Sequence, residues 1–289
     1  MKAWLIYDTD GARKNAAYIK MHEEEGKKLG IEFIVLYTER ITYGIKSGIW
    51  FLEYDGKTME RPDFVINRSI NPLLSKQLEY MQYPLFNDAK TATICNDKAR
   101  TYQYVASLSI PMVDTLFVNN RILRSTLENA EDKKVIKAVA GHGGSQVCLY
   151  DPSSMGEKEM EAILKIMNDS DVVVQPYVEG RKQDLRVYVI GDKIVGAVLR
   201  HAKSGFKSNY SLGGEVSSYQ LSEQEVAVVD KICNAFQFGL VGIDFLIGSN
   251  GELIFNEIED VVGARMLYAT SDINLVREYL QFIIRTANL

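Results

Sequence analysis

The stretch that decides the fold is LVGIDFLIGSNGELIFNEIED, residues 240–260. In both halves apolar residues alternate with small or polar ones, which is the period-two pattern of β-strands. Asn250-Gly251 lies between the halves and is a strong signal for a two-residue hairpin turn. The sequence therefore predicts a β-hairpin whose turn is formed by these two residues.

The predicted hairpin collects carboxylates on one face. With that turn, Asp244 lies opposite Glu257, and Glu259 lies opposite Gly242 on the same face. Directly opposed residues have Cβ atoms ~4.5–5.5 Å apart, so like charges there destabilise a sheet unless a cation lies between them. Hard divalent cations, Mg²⁺ above all, prefer such oxygen ligands, and substrate phosphates usually complete their shell. The alternative is a solvated polar face that carries unrelated acids.

Composition and charge argue against several classes of protein. The chain has 289 residues, of which 46% are hydrophobic and 25% charged, as in ordinary globular proteins. Its net charge is −5 and its basic residues are scattered, so we expect no nucleic-acid partner. No apolar run reaches transmembrane length and no targeting segment is recognisable, so we expect no membrane partner and a cytoplasmic location. The three cysteines are far apart without CxxC spacing, as expected of reduced thiols.

The order of predicted elements divides the chain into three units. Residues 1–95 alternate strands and helices, including one helix that ends at Gly30, and predict a small βαβ-type domain with a mostly parallel sheet. Residues 96–179 form an α+β unit, in which Ser153 or Ser154 is the expected N-cap of a helix. Residues 180–289 contain a hairpin around Gly191-Asp192, the carboxylate hairpin and a last helix. The fold class is therefore α/β (α+β).

The stretch KAVAGHGGSQV, residues 137–147, is typical of a phosphate-binding loop. It lacks the GK[ST] of a Walker A loop and the spacing of a Rossmann GxGxxG. It joins two predicted antiparallel strands, and Lys137 lies on the first of them. Glycines let backbone N–H groups approach phosphate oxygens closely, and a nearby lysine adds positive charge. The alternative is a flexible hairpin tip.

Other basic residues allow two interpretations. Lys98 begins a predicted helix. In one interpretation the helix end and the lysine together bind a phosphate, and in the other the lysine is simply solvated. Arg186 and Arg200 lie on the two strands of one predicted hairpin. They are either site residues or ordinary exposed charges of a sheet. His142 and His201 lack an acidic partner at catalytic spacing.

Taken in order, these motifs resemble the ATP-grasp superfamily, and within it the RimK-like carboxylate–amine ligases. The resemblance covers essentially the whole chain. It implies an ATP-grasp fold with an N-terminal domain over residues 1–95, a central subdomain with a glycine-rich lid over 96–179, and a C-terminal catalytic subdomain over 180–289.

The resemblance also implies roles for residues at matching positions. In the family, two lysines contact the nucleotide, the strand that matches VQPYV clamps adenine, and an acidic residue commonly reaches the ribose. The implied nucleotide-binding residues are Lys98, Lys137, Gly141, His142, Gly143, Gly144, Ser145, Gln175, Tyr177, Val178 and Asp184. The implied catalytic residues in LRHAKSGFKSNYSLGG are Arg200, Lys207 and Asn209. The expected substrate-binding residues are Arg186, Gly213, Gly214 and Arg265.

The carboxylate hairpin matches the metal site of the family with one departure. The family binds two Mg²⁺ ions, for which Mn²⁺ is a possible substitute, through an aspartate on one strand and an E-x-N motif on the next. Asp244 and Glu257 match, whereas Glu259 stands where the family has asparagine, and DVVG replaces the usual SPG after it. Arg265 follows this turn and either binds a substrate carboxylate or pairs with a neighbouring acid such as Asp260.

The activity implied by the resemblance is ATP-dependent ligation of a carboxylate to an amine. ATP converts the carboxylate into an acylphosphate, an amine displaces phosphate, and ADP, phosphate and an amide are released. One alternative is an ATP-grasp kinase that phosphorylates a small molecule, and another is a nucleotide-binding regulatory protein. The sequence leaves open which acid and amine react and whether the acceptor is free, peptidic or protein-bound. The family also implies a homodimer or a homotetramer.

Overall fold

A computed structural model describes residues 1–144, 146–178, 183–201 and 215–289. Five residues of the expected site, namely Ser145, Lys207, Asn209, Gly213 and Gly214, lie outside the described residues. Within the described part, no helix is both long enough and apolar enough to cross a membrane.

The predicted helices and strands occur in the predicted order, and further elements that were not predicted lie between them. The first third contains β1 (Lys2–Tyr7), α1 (Thr9–Lys14), α2 (Ala16–Lys28), β2 (Glu32–Tyr37), β3 (Ile41–Lys46), β4 (Ile49–Tyr54), β5 (Lys57–Thr58), β6 (Phe64–Asn67), α3 (Pro72–Tyr80), β7 (Leu85–Phe86) and α4 (Ala89–Cys95). The middle contains α5 (Lys98–Ala106), β8 (Leu116–Val118), α6 (Asn120–Glu128), β9 (Lys134–Ala138), β10 (Val147–Tyr150), α7 (Glu157–Met167) and β11 (Val172–Pro176). The last part contains β12 (Gln183–Ile190), β13 (Lys193–His201), β14 (Glu215–Ser218), α8 (Glu223–Cys233), β15 (Leu240–Ile247), β16 (Leu253–Glu259), α9 (Arg265–Thr270) and α10 (Leu275–Thr286).

Four sheets organise these elements. The N-terminal sheet has the order β2-β1-β6-β7 with parallel pairs, as predicted, and β3, β4 and β5 form a separate antiparallel sheet. The central sheet has the order β10-β9-β11-β8 and the catalytic sheet the order β14-β13-β12-β15-β16, both antiparallel. The mixed α/β fold class is confirmed.

Two predicted helix boundaries are wrong for local reasons. The single helix expected to end at Gly30 is divided into α1 and α2 at Asn15, whose φ of −112° and ψ of 19° are not helical. Helix α7 is capped by Gly156 rather than by Ser153 or Ser154. Asp151 accepts hydrogen bonds from the N–H and the hydroxyl of Ser153, at 3.0 and 2.6 Å, which holds that serine in a turn before the helix.

The two ends of the chain share one hydrophobic core. Apolar side chains of the N-terminal sheet, such as Leu5 and Phe64, belong to the same buried cluster as Tyr279 and Ile283 of α10. Buried apolar area stabilises a fold by roughly 25 cal/mol per Å², so this common cluster holds the N-terminal sheet against the catalytic part.

Asn87 adds a polar connection between the same two parts. Its Nδ2 donates to the main-chain oxygens of Leu240 and Asp260 and to the carboxylate of Asp260, at 2.9, 3.1 and 2.6 Å. Its Oδ1 accepts from the N–H groups of Gly239 and Leu240 at 2.6 and 2.9 Å. Because Asp260 directly follows β16, these bonds fix the end of the carboxylate hairpin against the N-terminal part.

Candidate active site

The carboxylate hairpin is formed by β15 and β16, and its functional register is as predicted. Asp244 lies opposite Glu257, and Gly242 lies opposite Glu259. The predicted two-residue turn is wrong. The N–H of Gly248 donates to the oxygen of Glu252 at 3.0 Å, so three residues, 249–251, form the loop, and Gly251 has the left-handed φ of +87°.

A β-bulge compensates for the longer loop. The ladder shifts between Asp244 and Phe245, so Phe245 faces Phe255 while Asp244 faces Glu257, and Asn256 is left without a partner across the ladder. The N–H of Phe255 donates instead to the oxygen of Pro111 at 2.8 Å. The extra residue in the loop and the extra residue in the bulge cancel, which is why the predicted register of the carboxylates is right.

Three carboxylates converge on this face. Oxygen atoms of Asp244, Glu257 and Glu259 lie within 4.8 Å of one another, and Asp244 is 1% exposed. Hard carboxylate oxygens are the ligands that Mg²⁺ and Mn²⁺ prefer, so the donor set fits such an ion.

The like charges already have cationic partners in the protein. Arg186 donates from Nε and Nη2 to the two oxygens of Asp244 at 2.7 and 2.6 Å, and Nη2 lies 2.7 Å from Glu259. The expectation that these carboxylates by themselves require a metal is therefore wrong, because buried arginine supplies the compensating charge. The guanidinium of Arg186 is engaged by the two acids, and substrate binding by this residue stays a prediction.

Arg200 makes the second ion pair of this cluster. Its Nη2 donates to Asp244 at 2.7 Å, and its Nε donates to Asp184. Arg186 and Arg200 are 5% and 4% exposed, so the interpretation of both as ordinary exposed sheet charges is wrong. Asp184 lines the cavity that is described below, and its contact with a ribose stays a prediction.

The surroundings shift the pKa values of Asp244 and Glu259 in opposite directions. Burial alone would raise the pKa of Asp244, but Arg186 and Arg200 more than offset it and lower the pKa from 3.8 to about 2. Burial raises the pKa of Glu259, and the negative charges of Asp244 and Glu257 act in the same direction against the opposing effect of Arg186. Asp244 is therefore a permanent anion at neutral pH, and Glu259 is the easier of the two to protonate.

Lysines and a glycine-rich loop face the carboxylates. Lys98 is the first residue of α5, and its Nζ lies 3.5 Å from Glu257 and donates to the oxygen of Gly141 at 2.6 Å. Lys137 lies on β9, which pairs antiparallel with β10 across the loop, as predicted. Gly143 and Gly144 have φ of +63° and +74°, a conformation that glycine adopts without strain. Burial and the charge of Lys98 lower the pKa of His142 in this loop, so the ring is neutral at pH 7.

A single cavity of about 470 Å³ brings these groups together. The predicted residues that line it are Lys98, Lys137, His142, Gly143, Gly144, Gln175, Tyr177, Val178, Asp184, Arg186, Arg200, Glu257, Glu259 and Arg265. Gly141 lies next to the wall and accepts from Lys98, whereas Asp244 lies beneath it, in contact with both arginines. Apolar side chains such as Val135 and Ile258 line the cavity near the β11 strand end and suit a flat heterocycle.

The cavity is also lined by Arg265, the first residue of α9. Arg265 forms no hydrogen bond or ion pair within the described parts of the chain. The alternative partner, Asp260, instead accepts from Asn87 and Asn96 at 2.6 and 2.9 Å. The alternative of a salt bridge between Arg265 and Asp260 is therefore wrong, and the guanidinium is available to a ligand.

Sequence reasoning missed Asn256 and Tyr102. In an unbroken strand Asn256 would face away from Glu257, so only knowledge of the bulge places it at the cavity. Lys137 donates to Asn256 Oδ1 at 2.7 Å and to the hydroxyl of Tyr102 at 3.3 Å. Tyr102 lies on α5, and in the sequence it indicates only an aromatic residue of the hydrophobic core.

Comparison with known proteins agrees with this fold. The model of the RimK-like ATP-grasp domain matches residues 95–283. A probable alpha-L-glutamate ligase of Xanthomonas axonopodis pv. citri is 30% identical over 243 residues, which cover 80% of this chain and 81% of that protein. A RimK domain ATP-grasp protein from Sphaerobacter thermophilus superposes with a TM-score of 0.72 at 15% identity, over 98% of this chain and 100% of that chain.

A further structure is similar in fold and contains ligands. The ATP-grasp ligase PsnB, complexed with a phosphomimetic variant of a minimal precursor, Mg and ADP, superposes with a TM-score of 0.68 at 17% identity, over 99% of this chain and 98% of that chain. The fold and the cavity thus define an ATP-grasp ligase. The chain belongs to the RimK-like ATP-grasp family, and its chemistry is ATP-dependent carboxylate–amine ligation.

Proposed function

We propose that this chain activates a carboxylate as an acylphosphate and joins it to an amine, with release of ADP and phosphate. The observation that supports the proposal is the arrangement of one cavity. Three carboxylates converge at it, and two lysines with a glycine-rich loop lie close to them, with the Lys98 ammonium 3.5 Å from Glu257. Such a cavity suits a polyphosphate with its divalent cations, because it offers ligands for the metal and donors for the phosphates.

Lys98, Lys137 and the backbone around Gly143 bind the nucleotide phosphates in this proposal. We assign adenine binding to Gln175, Tyr177 and Val178, which line the cavity at the end of β11. Gln175 donates its side-chain amide to Thr115 Oγ1 at 2.8 Å, which fixes that strand end. These residues act in the ground state.

Metal binding is assigned to Asp244, Glu257 and Glu259. Two Mg²⁺ ions, or Mn²⁺ in their place, neutralise charge on the transferring phosphoryl group when bound. Among the described residues at the cavity, five carboxylates (Asp184, Asp244, Glu257, Glu259 and Asp260) are balanced by five cations (Lys98, Lys137, Arg186, Arg200 and Arg265). ATP⁴⁻ together with two divalent cations is also neutral. The charge balance of the cavity is therefore kept when the nucleotide and both cations bind.

Arg200 contributes to the chemical step. The carboxylate substrate attacks the γ-phosphorus of ATP in line, ADP leaves, and negative charge spreads over the phosphoryl oxygens. The Arg200 guanidinium, which is held by Asp184 and Asp244 at the cavity, would stabilise that charge. An unprotonated amine then attacks the acylphosphate carbonyl, the C–N bond forms, phosphate departs, and the amine loses a proton. Lys207 and Asn209 are further candidates for this step on the basis of the family motif.

The carboxylate of an amino acid or a peptide is the proposed substrate class. The relative from Xanthomonas is named for ligation of glutamate, and PsnB was solved with a precursor. Arg265 lines the cavity without a partner among the described residues, and its planar guanidinium suits a second carboxylate bidentately. Gly213 and Gly214 are assigned to the same substrate on the family motif alone. A homodimer or homotetramer and a cytoplasmic location stay predictions.

The test combines nucleotide analysis with trapping. ATP, Mg²⁺ and a panel of amino acids and short peptides are incubated with the protein, and ADP and AMP are quantified. We expect ADP with phosphate. Hydroxylamine added with the acid alone should give a hydroxamate, because only an acylphosphate reacts in this way. Stoichiometric AMP would exclude the mechanism, and ADP with a stable phosphorylated product would favour the kinase alternative.

A further inference from the structure

Lys137, Asn256 and Tyr102 form a hydrogen-bonded cluster at the cavity, which Lys137 and Asn256 line. The Lys137 ammonium donates to Asn256 Oδ1 at 2.7 Å and to the Tyr102 hydroxyl at 3.3 Å. The Tyr102 hydroxyl donates in turn to the main-chain oxygen of Asn256 at 2.6 Å. Asn256 is therefore joined to Lys137 both directly and through Tyr102, which is 2% exposed.

The β-bulge is what gives Asn256 this position. Consecutive residues of a regular strand point to opposite faces, so either Asn256 or Glu257 could reach the cavity, but not both. The bulge leaves Asn256 unpaired between Phe255 and Glu257, and Asn256 and Glu257 both line the cavity. Bulges re-aim side chains in this manner next to active sites.

The hydrogen-bonding capacity of the cluster is incompletely used. An ammonium group has three N–H donors, and Lys137 directs two of them to Asn256 and Tyr102. Across the described parts of the chain no further acceptor takes the third. Because an ammonium only donates, it also fixes the orientation of the Asn256 amide, with Oδ1 toward Lys137 and Nδ2 left as a donor.

We propose that Asn256 is a nucleotide-positioning residue, which holds the Lys137 ammonium in place for a phosphate oxygen of the bound nucleotide. This inference rests on the proposed function for the identity of its ligand. It assigns to the residue before the metal-binding Glu257 a task that differs from metal binding. It also gives the bulge a purpose, because a straight strand would withdraw Asn256 from Lys137.

The test is ADP affinity, measured calorimetrically with a chelator present so that the metal site does not contribute. We expect Asn256→Leu to weaken ADP binding about tenfold, since hydrogen bonds to charged groups contribute roughly that much. Lys137→Met should weaken it more. Because Asn256 acts through Lys137, adding Asn256→Leu to Lys137→Met should change the affinity less than twofold.

The isosteric variant Asn256→Asp separates positioning from packing. Aspartate keeps the shape of asparagine and pairs with Lys137, so a purely structural role predicts normal ADP affinity. The proposal predicts at least tenfold weaker binding, because the new negative charge neutralises Lys137 and repels phosphate. Asn250→Leu, at the hairpin loop, is the matched control and should bind ADP as the wild type does.

Each outcome decides between the two roles. Wild-type affinity in Asn256→Asp, or an undiminished effect of Asn256→Leu in the Lys137→Met background, would overturn the inference. Melting temperatures of all variants show whether a loss of affinity reflects unfolding, and Asn256→Asp preserves packing if the leucine variant unfolds. A wild type that fails to bind ADP with or without Mg²⁺ would instead overturn the nucleotide site, and this inference with it.

Discussion

Replacing Arg186 by methionine tests the charge balance beneath the cavity. Arg186 is 5% exposed and makes a bidentate pair with Asp244, which is 1% exposed, and a contact of 2.7 Å with Glu259. Methionine fills much of the volume but leaves both acids without this partner. Breaking a buried ion pair from one side destabilises a protein by ~3–5 kcal/mol, because a charge remains buried without compensation. Arg200 still contacts Asp244, so we expect about 3 kcal/mol.

The assay is thermal unfolding of the wild type and Arg186→Met with and without Mg²⁺. Unfolding entropy scales with chain length, so for 289 residues each kcal/mol lowers the melting temperature by ~2 °C, and we expect a fall of about 6 °C. Mg²⁺ should restore part of that loss and should stabilise the variant more than the wild type. The reason is that the ion takes the place of the missing cation between Asp244 and Glu259.

Arg124→Met is the matched control for this substitution. Arg124 also pairs with carboxylates, those of Glu128, Glu157 and Glu161, but its side chain is 38% exposed. Exposed ion pairs contribute ~0–1 kcal/mol, so this variant should melt within about 2 °C of the wild type and show no specific response to Mg²⁺. Equal melting temperatures of Arg186→Met and Arg124→Met would refute the reasoning about burial. A normal fall without any recovery in Mg²⁺ would refute a metal site at these carboxylates.

Three further predictions address the nucleotide, the metal and pH. Lys137→Ala should weaken nucleotide binding with a smaller change in kcat, whereas Arg200→Ala should mainly lower kcat; equal ATP affinity of Lys137→Ala and the wild type would contradict the first half. Glu259→Asn should retain appreciable activity with weaker metal binding, and Glu259→Leu should lose most of it, which a Mg²⁺ titration of kcat checks. Burial lowers the pKa of His22 from 6.5 to about 4. Between these pH values the unfolded state binds a proton that the folded state does not bind. The folded state therefore loses up to about 3 kcal/mol of stability as the pH falls from 6.5 toward 4. His22→Phe should flatten the melting temperature over that range.

The position of the three carboxylates could be predicted because strand alternation is a local property. Asp244, Glu257 and Glu259 share a face in any register that places Asp244 opposite Glu257. The bulge at Asn256 could not be predicted, because the contact that accompanies it is distant in sequence. The N–H of Phe255 donates to the oxygen of Pro111 at the point where the ladder with β15 shifts.

The burial of Arg186 and Arg200 was equally beyond a reading of single strands. Arg186 faces Asp244 because β12 pairs with β15, and Arg200 faces Asp184 because β13 pairs with β12. A strand pattern shows that an arginine is on one face but not which partner strand lies beside it. The same limit applies to Lys137, whose membership in a phosphate-type loop is visible in the sequence while its contact with Asn256 is not.

The core common to Leu5 and Tyr279 has a consequence for recombination and protein engineering. Substrate preference in a ligase of this kind is an attractive property to transfer by exchanging one segment between relatives. A chimera joined near residue 95 would place foreign side chains against α10 and would separate Asn87 from the Asp260 that it contacts. The first and last segments therefore have to be inherited as a pair. The central part packs partly around its own cluster of Val118, Ile136 and Met167, but Tyr102 and Val173 belong to a cluster with residues of β12 and β15, so an exchange of the central part has to preserve those contacts as well.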